Sequence, residues 1–248
     1  MTRLVLFGGG GRMGRAVRDA AGPEFEILSI IDKADGRSGG EPVLPPGCDV
    51  VIDFSTPEAF EDLGRLIGGG SAALVSGTTG LGSAERAMLE KWSRDRAVFY
   101  SPNMSFGIFL LSRLLSEAAR ISGDRYDFEM VEYHHRTKQD SPSGTALKLL
   151  EAWKAGVGKD FTVTSGRSGS SLRRTGDEAG VFSVRGGDVA GDHEIHLLGE
   201  GERLLLAHRS SGRRTFAVGA LLAASSISGR PPGLYGMDDL VRWRGGCI

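Results

Sequence analysis

Leu4-Val5-Leu6-Phe7-Gly8-Gly9-Gly10-Gly11-Arg12-Met13-Gly14 decides the fold. Four successive apolar residues read as a strand buried on both faces, and the glycines after them as a tight turn. Met13, Ala16, Val17, Ala20 and Ala21 then recur at helical spacing, and a second apolar run from Glu26 to Ile31 ends at Asp32, 18 residues after Gly14. Strand, glycine turn, helix, strand and terminal acid form a dinucleotide-binding unit. The glycines let the backbone approach a pyrophosphate, the helix N-terminus stabilises that anion, and the acid accepts hydrogen bonds from a ribose. The spacing is Gly8-x-x-Gly11-x-x-Gly14 rather than the commoner GxGxxG, although Gly10 is also present. Gly8, Gly9, Gly10, Gly11, Arg12, Met13 and Asp32 are therefore the first cofactor-site candidates.

The same alternation continues outward. Val50-Val51-Ile52-Asp53-Phe54 reads as a buried strand leading into Ser55-Thr56-Pro57-Glu58, a helix start with a capping residue and an early proline. Ala72 to Ser76 is a further strand, ending in Gly77-Thr78-Thr79-Gly80, and Ser83 opens a helix with Ala84, Ala87, Met88, Lys91 and Trp92 on one side. Ala97 to Tyr100 is another strand, ending in Ser101-Pro102-Asn103-Met104. Strands alternating with helices indicate an α/β fold, a Rossmann-type doubly wound parallel sheet whose ligands lie beyond the strand C-terminal ends. The unusual loops all fall at that edge, which makes one common cofactor site the expectation.

After residue 104 the pattern changes. Ser105 to Arg120 is helical, with Phe109, Leu110, Ser112, Arg113, Leu114 and Ala118 spaced to pack. Strand-like runs follow at Asp127–Tyr133, Phe161–Thr164, Gly180–Arg185, His193–Leu198 and Arg203–His208, with one helix from Ser143 to about Lys154. That describes a second, α+β domain built on an open mixed sheet. Ser165 to Gly180, rich in Ser, Gly and Arg, reads as a long surface loop. The expected domains are 1–104 with 215–248 for the dinucleotide, and 105–214 for substrate binding and oligomerisation. Between strand and helix runs Glu132-Tyr133-His134-His135-Arg136-Thr137-Lys138-Gln139-Asp140-Ser141-Pro142-Ser143-Gly144-Thr145-Ala146. Ser143 is a natural N-cap, which leaves backbone N–H groups near Gly144 and Thr145 for an anion. Protonatable side chains facing a helix N-terminus suit a small, multiply charged acid that also needs protons moved.

Bulk properties bound the reading. Lys plus Arg number 30 and Asp plus Glu 31, so no basic excess points to nucleic acid. Cys48 and Cys247 form neither a zinc spacing nor a disulfide framework, and no metal is expected. The N-terminus is too short for a signal segment before its glycines, and the longest uncharged run, Thr215 to Gly229, falls short of a membrane span. A soluble, cytoplasmic enzyme is the expectation.

HHRTKQDSPSGTA resembles the signature of the 4-hydroxy-tetrahydrodipicolinate reductase (dihydrodipicolinate reductase) family, NAD(P)H enzymes of diaminopimelate and lysine biosynthesis. The GxxGRMG form of the glycine turn resembles that family too, as do Arg185-Gly186-Gly187-Asp188-Val189-Ala190-Gly191-Asp192-His193 and Arg214-Thr215-Phe216-Ala217-x-Gly219-Ala220. The likeness spans nearly the whole chain and is weakest from Ala155 to Gly180. It implies His134 as proton donor/acceptor, Lys138 as proton donor and His135 as a substrate ligand, with Gly144 and Thr145 offering donors to a substrate carboxylate. It implies that Gly77, Thr78, Thr79 and the run Ser101, Pro102, Asn103 and Met104 lie along the cofactor towards its nicotinamide. A homotetramer packed through the substrate-domain sheets is implied as well. Thr137 stands where the family often has another histidine, a position outside its catalytic residues.

Both NADH and NADPH are expected as cofactors. Asp32 favours NADH modestly, while Lys33 and Arg37 could pair with the extra phosphate of NADPH. The first half alone would also fit a different two-domain NAD(P) dehydrogenase acting on an amino or hydroxy acid. A nucleotide sensor that had lost chemistry should have lost His134 or Lys138, and both are present.

Overall fold

Strand β1 (Thr2–Phe7) buries Leu4, Val5, Leu6 and Phe7 because it lies inside a parallel sheet, between β2 (Phe25–Ile31) and β3 (Val50–Asp53). The computed structural model describes residues 1–32, 43–243 and 245; Lys33, Arg37 and Cys247 lie outside the described residues. Two units separate by contact, Met1–Ser105 with Arg213–Ile248, and Phe106–Gly212.

In the first unit β4 (Ala73–Ser76), β5 (Ala97–Tyr100) and the last strand of the chain, β11 (Gly233–Tyr235), complete six parallel strands in the order β11-β5-β4-β3-β1-β2. The winding reverses between β1 and β3, which makes their C-terminal ends the switch point of a Rossmann-type doubly wound sheet. Helices α2 (Phe60–Gly68) and α3 (Ser83–Trp92) bury Leu63, Leu66 and Leu89 with Val5, Val51, Leu74 and Val98 of the strands. Helix α1 (Arg12–Ala20) packs against α6 (Arg214–Ile227), whose buried side is built mainly from Ala217, Gly219, Ala220, Ala223 and Ala224. Small residues let these elements approach closely.

Two local expectations fail here. Thr56 makes no side-chain capping bond; a 3-10 turn, Pro57–Ala59, leads into α2 instead. The inner side of α3 centres on Leu89 with Met88 and Trp92 half-buried, while Ala84 and Ala87 are exposed. Glu85 reaches back to accept from Gly82 N–H at 2.8 Å, so its carboxylate does the capping there.

In the second unit β6 (Asp127–His134) is the central strand of five, in the order β10-β9-β6-β8-β7. The others are β7 (Thr162–Thr164), β8 (Glu178–Arg185), β9 (Asp192–Leu198) and β10 (Arg203–Arg209). β6 pairs parallel with β8 and antiparallel with β9, so the sheet is mixed. Helices α4 (Phe106–Ser122) and α5 (Gly144–Val157) cover one face, over Phe128, Met130, Val181, Ile195 and Leu197. The buried residues of α4 are Ile108, Phe109, Leu111, Leu115 and Ala119; Phe109 packs as expected, whereas Leu110 and Leu114, also expected to pack, are 48% and 52% exposed. Ala119 decides the stripe, because a Cβ on Gly156 of α5 would lie 2.5 Å from its methyl group. Residues 165–177 form a loop, as expected, but a tethered one. Arg167 pairs with Glu129 at 2.9 Å, and Arg174 with Asp127 at 2.5 Å and Glu129 at 3.0 Å. Among the described residues no helix is long and apolar enough to cross a membrane.

Trp153 anchors the second core, fully buried with its ring 5.7 Å from that of Phe128. Trp153→Ala should destabilise this unit by about 3–5 kcal/mol through lost burial and the cavity left behind. Denaturant unfolding followed by circular dichroism measures the shift, and a change below about 1 kcal/mol would show that the site collapses to fill the gap.

Candidate functional site

The loops at the C-terminal ends of β1, β3, β4 and β5 build a cradle in the first unit. Gly8 has φ +76°, and a Cβ there would lie 2.7 Å from Phe54 O; a Cβ on Gly14 would lie 2.3 Å from Gly9 Cα. Only glycine permits this turn and this approach of α1 to it. Gly10 N–H donates to both carboxylate oxygens of Asp32, at 2.9 and 3.1 Å, so the acid and the turn are held together. Gly11 and Arg12 are exposed beside them.

A cavity of about 270 Å³ opens next to the turn, lined by Met13, Gly77, Thr78, Thr79, Pro102 and Met104, together with Phe54, Ser55 and Phe216. Ser101 and Asn103 do not line it. The Ser101 hydroxyl donates to Asn103 O at 2.7 Å and Asn103 Oδ1 accepts from Ser105 N–H at 2.9 Å, so both shape the backbone. Fully buried Asp53 collects the loop ends, accepting from Ser55 N–H at 2.9 Å, Ser76 Oγ at 2.7 Å and Thr78 Oγ1 at 2.8 Å. Burial raises the Asp53 pKa above the ordinary carboxylate value, against the pull of those donors. A glycine cradle too tight for side chains, an acid after β2 and an apolar cleft beyond fit a dinucleotide.

In the second unit the alternation of β6 places Phe128, Met130, Glu132 and His134 on the helix-covered face. The first two belong to the core; the last two begin a buried polar patch completed by Ser183 and Arg185 of β8 and His193 of β9. Glu132 is fully buried. Its Oε1 accepts from Ser143 N–H at 3.0 Å, Ser183 Oγ at 2.6 Å and Arg185 Nη2 at 2.7 Å. Burial pushes its pKa up, but its contacts with His193, Ser143, Ser183 and Arg185 outweigh that and leave it well below the ordinary carboxylate range.

His134 is 8% exposed, its ring edge-on to that of His193 with centroids 5.4 Å apart. Burial lowers its pKa from 6.5 to about 4, and the charges of Lys138 and Arg185 act in the same direction. The imidazole is therefore neutral at pH 7, as a proton acceptor must be. His135, half-buried, points differently and shares a 2.8 Å contact between Nδ1 and the Thr137 hydroxyl. Lys138 Nζ donates to Asp140 at 2.8 and 3.0 Å, and Arg136 is exposed. Ser143 caps α5, its hydroxyl accepting from Ala146 N–H at 3.1 Å, with exposed Gly144 and half-buried Thr145 in the first turn. Glu132, His134 and His193 offer atoms within 4.8 Å of one another, a spacing that a metal ion would accept. Arg185, bonded to the same carboxylate, already supplies the countercharge.

Residues 2–104 match the family model Dihydrodipicolinate reductase, N-terminus, and residues 107–241 match Dihydrodipicolinate reductase, C-terminus. The chain belongs to the dihydrodipicolinate reductase family. Curated relatives named 4-hydroxy-tetrahydrodipicolinate reductase are 38% identical in Halorhodospira halophila, covering 96% of this chain and 98% of the relative, and 37% identical in Anaeromyxobacter dehalogenans, covering 99% and 100%. A solved dipicolinate-bound dihydrodipicolinate reductase from Paenisporosarcina sp. TG-14 shares the fold, with TM-score 0.72, 21% identity and coverage of 96% and 99%. Within this reductase-family chain, the Phe54-Ser55 loop was expected at the cofactor edge, whereas Asp53 and Phe216 of the first site and Glu132, Arg185 and His193 of the second had no individual role in the sequence. A carboxylate at an inward position of a strand was the signal for Glu132, and two of its partners lie in the Arg185-to-His193 motif.

The lowered His134 pKa has a stability consequence. The unfolded chain binds the extra proton between pH 6.5 and about 4 while the folded one does not, so stability falls as pH drops through that window. Glu132, with a depressed pKa, loses its own contribution only as pH falls further. His134→Gln should flatten the decline above pH 4 by on the order of 1–3 kcal/mol, read from urea midpoints across pH. An unchanged profile would show that His134 titrates alike folded and unfolded.

Proposed function

We propose that the chain reduces 4-hydroxy-tetrahydrodipicolinate to tetrahydrodipicolinate at the expense of NADH or NADPH, a step of diaminopimelate and lysine biosynthesis in the cytoplasm. What carries this reading is one end of β6, where a neutral buried imidazole, an ammonium and a capped helix start occur within twelve residues, His134 to Thr145. Family membership over nearly the full chain agrees with it.

The glycine turn from Gly8 to Met13, with Asp32 and the cavity lined by Gly77, Thr78 and Thr79, would hold the nucleotide. A bound nicotinamide supplies the hydride for the conjugated ring carbon that remains once the hydroxyl leaves as water. The chain's residues then have three tasks. Gly144 and Thr145, at the positive end of α5, receive one substrate carboxylate, and His135 adds a donor. His134, neutral and mostly shielded from water, accepts or returns a proton as the ring passes through its enamine form. Lys138 supplies the proton that completes the reduction, with Asp140 orienting its ammonium. Charge balances, since one hydride and one proton enter and one water departs.

The sheet face opposite α4 and α5 leaves Val184 and Leu205 exposed at 44% and 58%, which supports a homotetramer assembled through that face. Light scattering on the purified chain decides it, and a monomer would retire that part of the reading. Turnover is tested by NAD(P)H oxidation coupled to the synthase that makes the unstable substrate. Lys138→Ala should lower kcat by about 10²–10⁴-fold and leave NADH affinity unchanged. Asp32→Ala should narrow the gap between the two cofactors, with NADH modestly better in the unmodified enzyme. No oxidation with either cofactor would refute the reading.

A further inference from the structure

Glu132 has no exposed surface, yet it stands on a strand face that is otherwise core. Its Oε1 holds three donors, from the start of α5 and from β8. Its Oε2 is buried and has no hydrogen bond; its neighbours are His134 Nδ1 at 3.5 Å and His193 Nε2 at 3.6 Å. His193 Nε2 also lies 3.3 Å from the Ser143 hydroxyl, which can donate to it. His134 Nδ1 is buried and has no hydrogen bond either. Buried polar atoms find partners, and a small approach gives these two each other.

We propose that Glu132 is the positioning residue of this site. Its carboxylate keeps His134 in the Nδ1–H tautomer, so that Nε2 is the nitrogen that exchanges the proton. Through Ser143 the same carboxylate holds the helix end that meets the substrate. This rests on the reductase reading for the reaction, but the tautomer itself does not. Gly191 supports the choice of nitrogen. It has φ +153°, and a Cβ there would lie 2.9 Å from His134 Nε2, so a side chain would cover the nitrogen that glycine leaves bare. The charged and titratable groups acting on the ring are Glu132 from its own strand, Arg185 from β8, His193 from β9 and Lys138 from the loop. Burial, helped by His193, Lys138 and Arg185, keeps the ring neutral against the pull of the Glu132 charge.

Nitrogen-15 NMR of histidine-labelled protein at pH 7 tests the tautomer without substrate. The expected result is a protonated Nδ1 and an unprotonated Nε2 at His134; a proton on Nε2, or averaging between the two forms, overturns the proposal. Glu132→Gln is the second arm. The amide oxygen can still accept from Ser143, Ser183 and Arg185, while the amide N–H faces His134 Nδ1 and forces the proton to Nε2. With the fold verified by circular dichroism and an unchanged urea unfolding transition, kcat should fall by at least about 100-fold, the direction known for enzymes whose orienting carboxylate becomes an amide. The substrate KM should stay within about 3-fold, because the anchor on α5 is retained. A raised KM with kcat preserved would make Glu132 a helix anchor only and sink the proposal. If the unmodified protein turns nothing over, the reaction reading fails, and the NMR result still decides the tautomer.

Discussion

A carboxylate sealed from water needs several donors to remain charged, and the second unit is arranged around meeting that requirement for Glu132. Removing such an ion from water costs several kcal/mol unless good hydrogen bonds replace its hydration. The replacements are three donors from two elements: Ser143 at the start of α5, and Ser183 and Arg185 at the end of β8. Elements distant in sequence are thereby brought to one point. The two histidines of the patch lie on the other oxygen of the same group.

The first unit repeats the device in a different chemical setting. Asp53, also without exposed surface, gathers the ends of β3 and β4 and the threonine loop after them. Among the described residues it receives hydroxyl and backbone donors, and burial raises its pKa, whereas His193, Arg185 and their companions depress that of Glu132. One carboxylate shapes the cleft proposed for the nucleotide, and the other is built into the site proposed for proton transfer. Neither carboxylate has exposed surface, yet burial dominates the shift of Asp53 and the hydrogen-bonding partners dominate that of Glu132.

What could be read from the sequence followed the strength of the local signal. Apolar runs such as Leu4–Phe7 and Val50–Ile52 read as interior strands, and the glycine turn with Asp32 pointed to the cleft. The HHR-to-PSGTA stretch pointed to the second candidate site, as a basic loop that runs into a capped helix. Helix faces were less legible. In α4 two leucine series share the helical period, and only the contact between Ala119 and Gly156 selects one of them. Glu132 stood in plain view without a role, since its alternation with Phe128 and Met130 gives its face but not the donors that meet it there. Arg185 and His193 had to travel through the fold to meet it.

That register has an evolutionary consequence. Along β6 the core residues Phe128 and Met130 and the polar residues Glu132 and His134 occupy alternate positions of one uninterrupted strand. Gaining or losing a single residue between them would turn one pair to the opposite face, leaving either the core or the chemistry on the wrong side. Insertions there survive only in twos, or with a bulge that restores the phase. Length variation among descendants of this chain should therefore gather in segments such as 165–177, where no parity is enforced, while the distance from Phe128 to His134 stays unchanged.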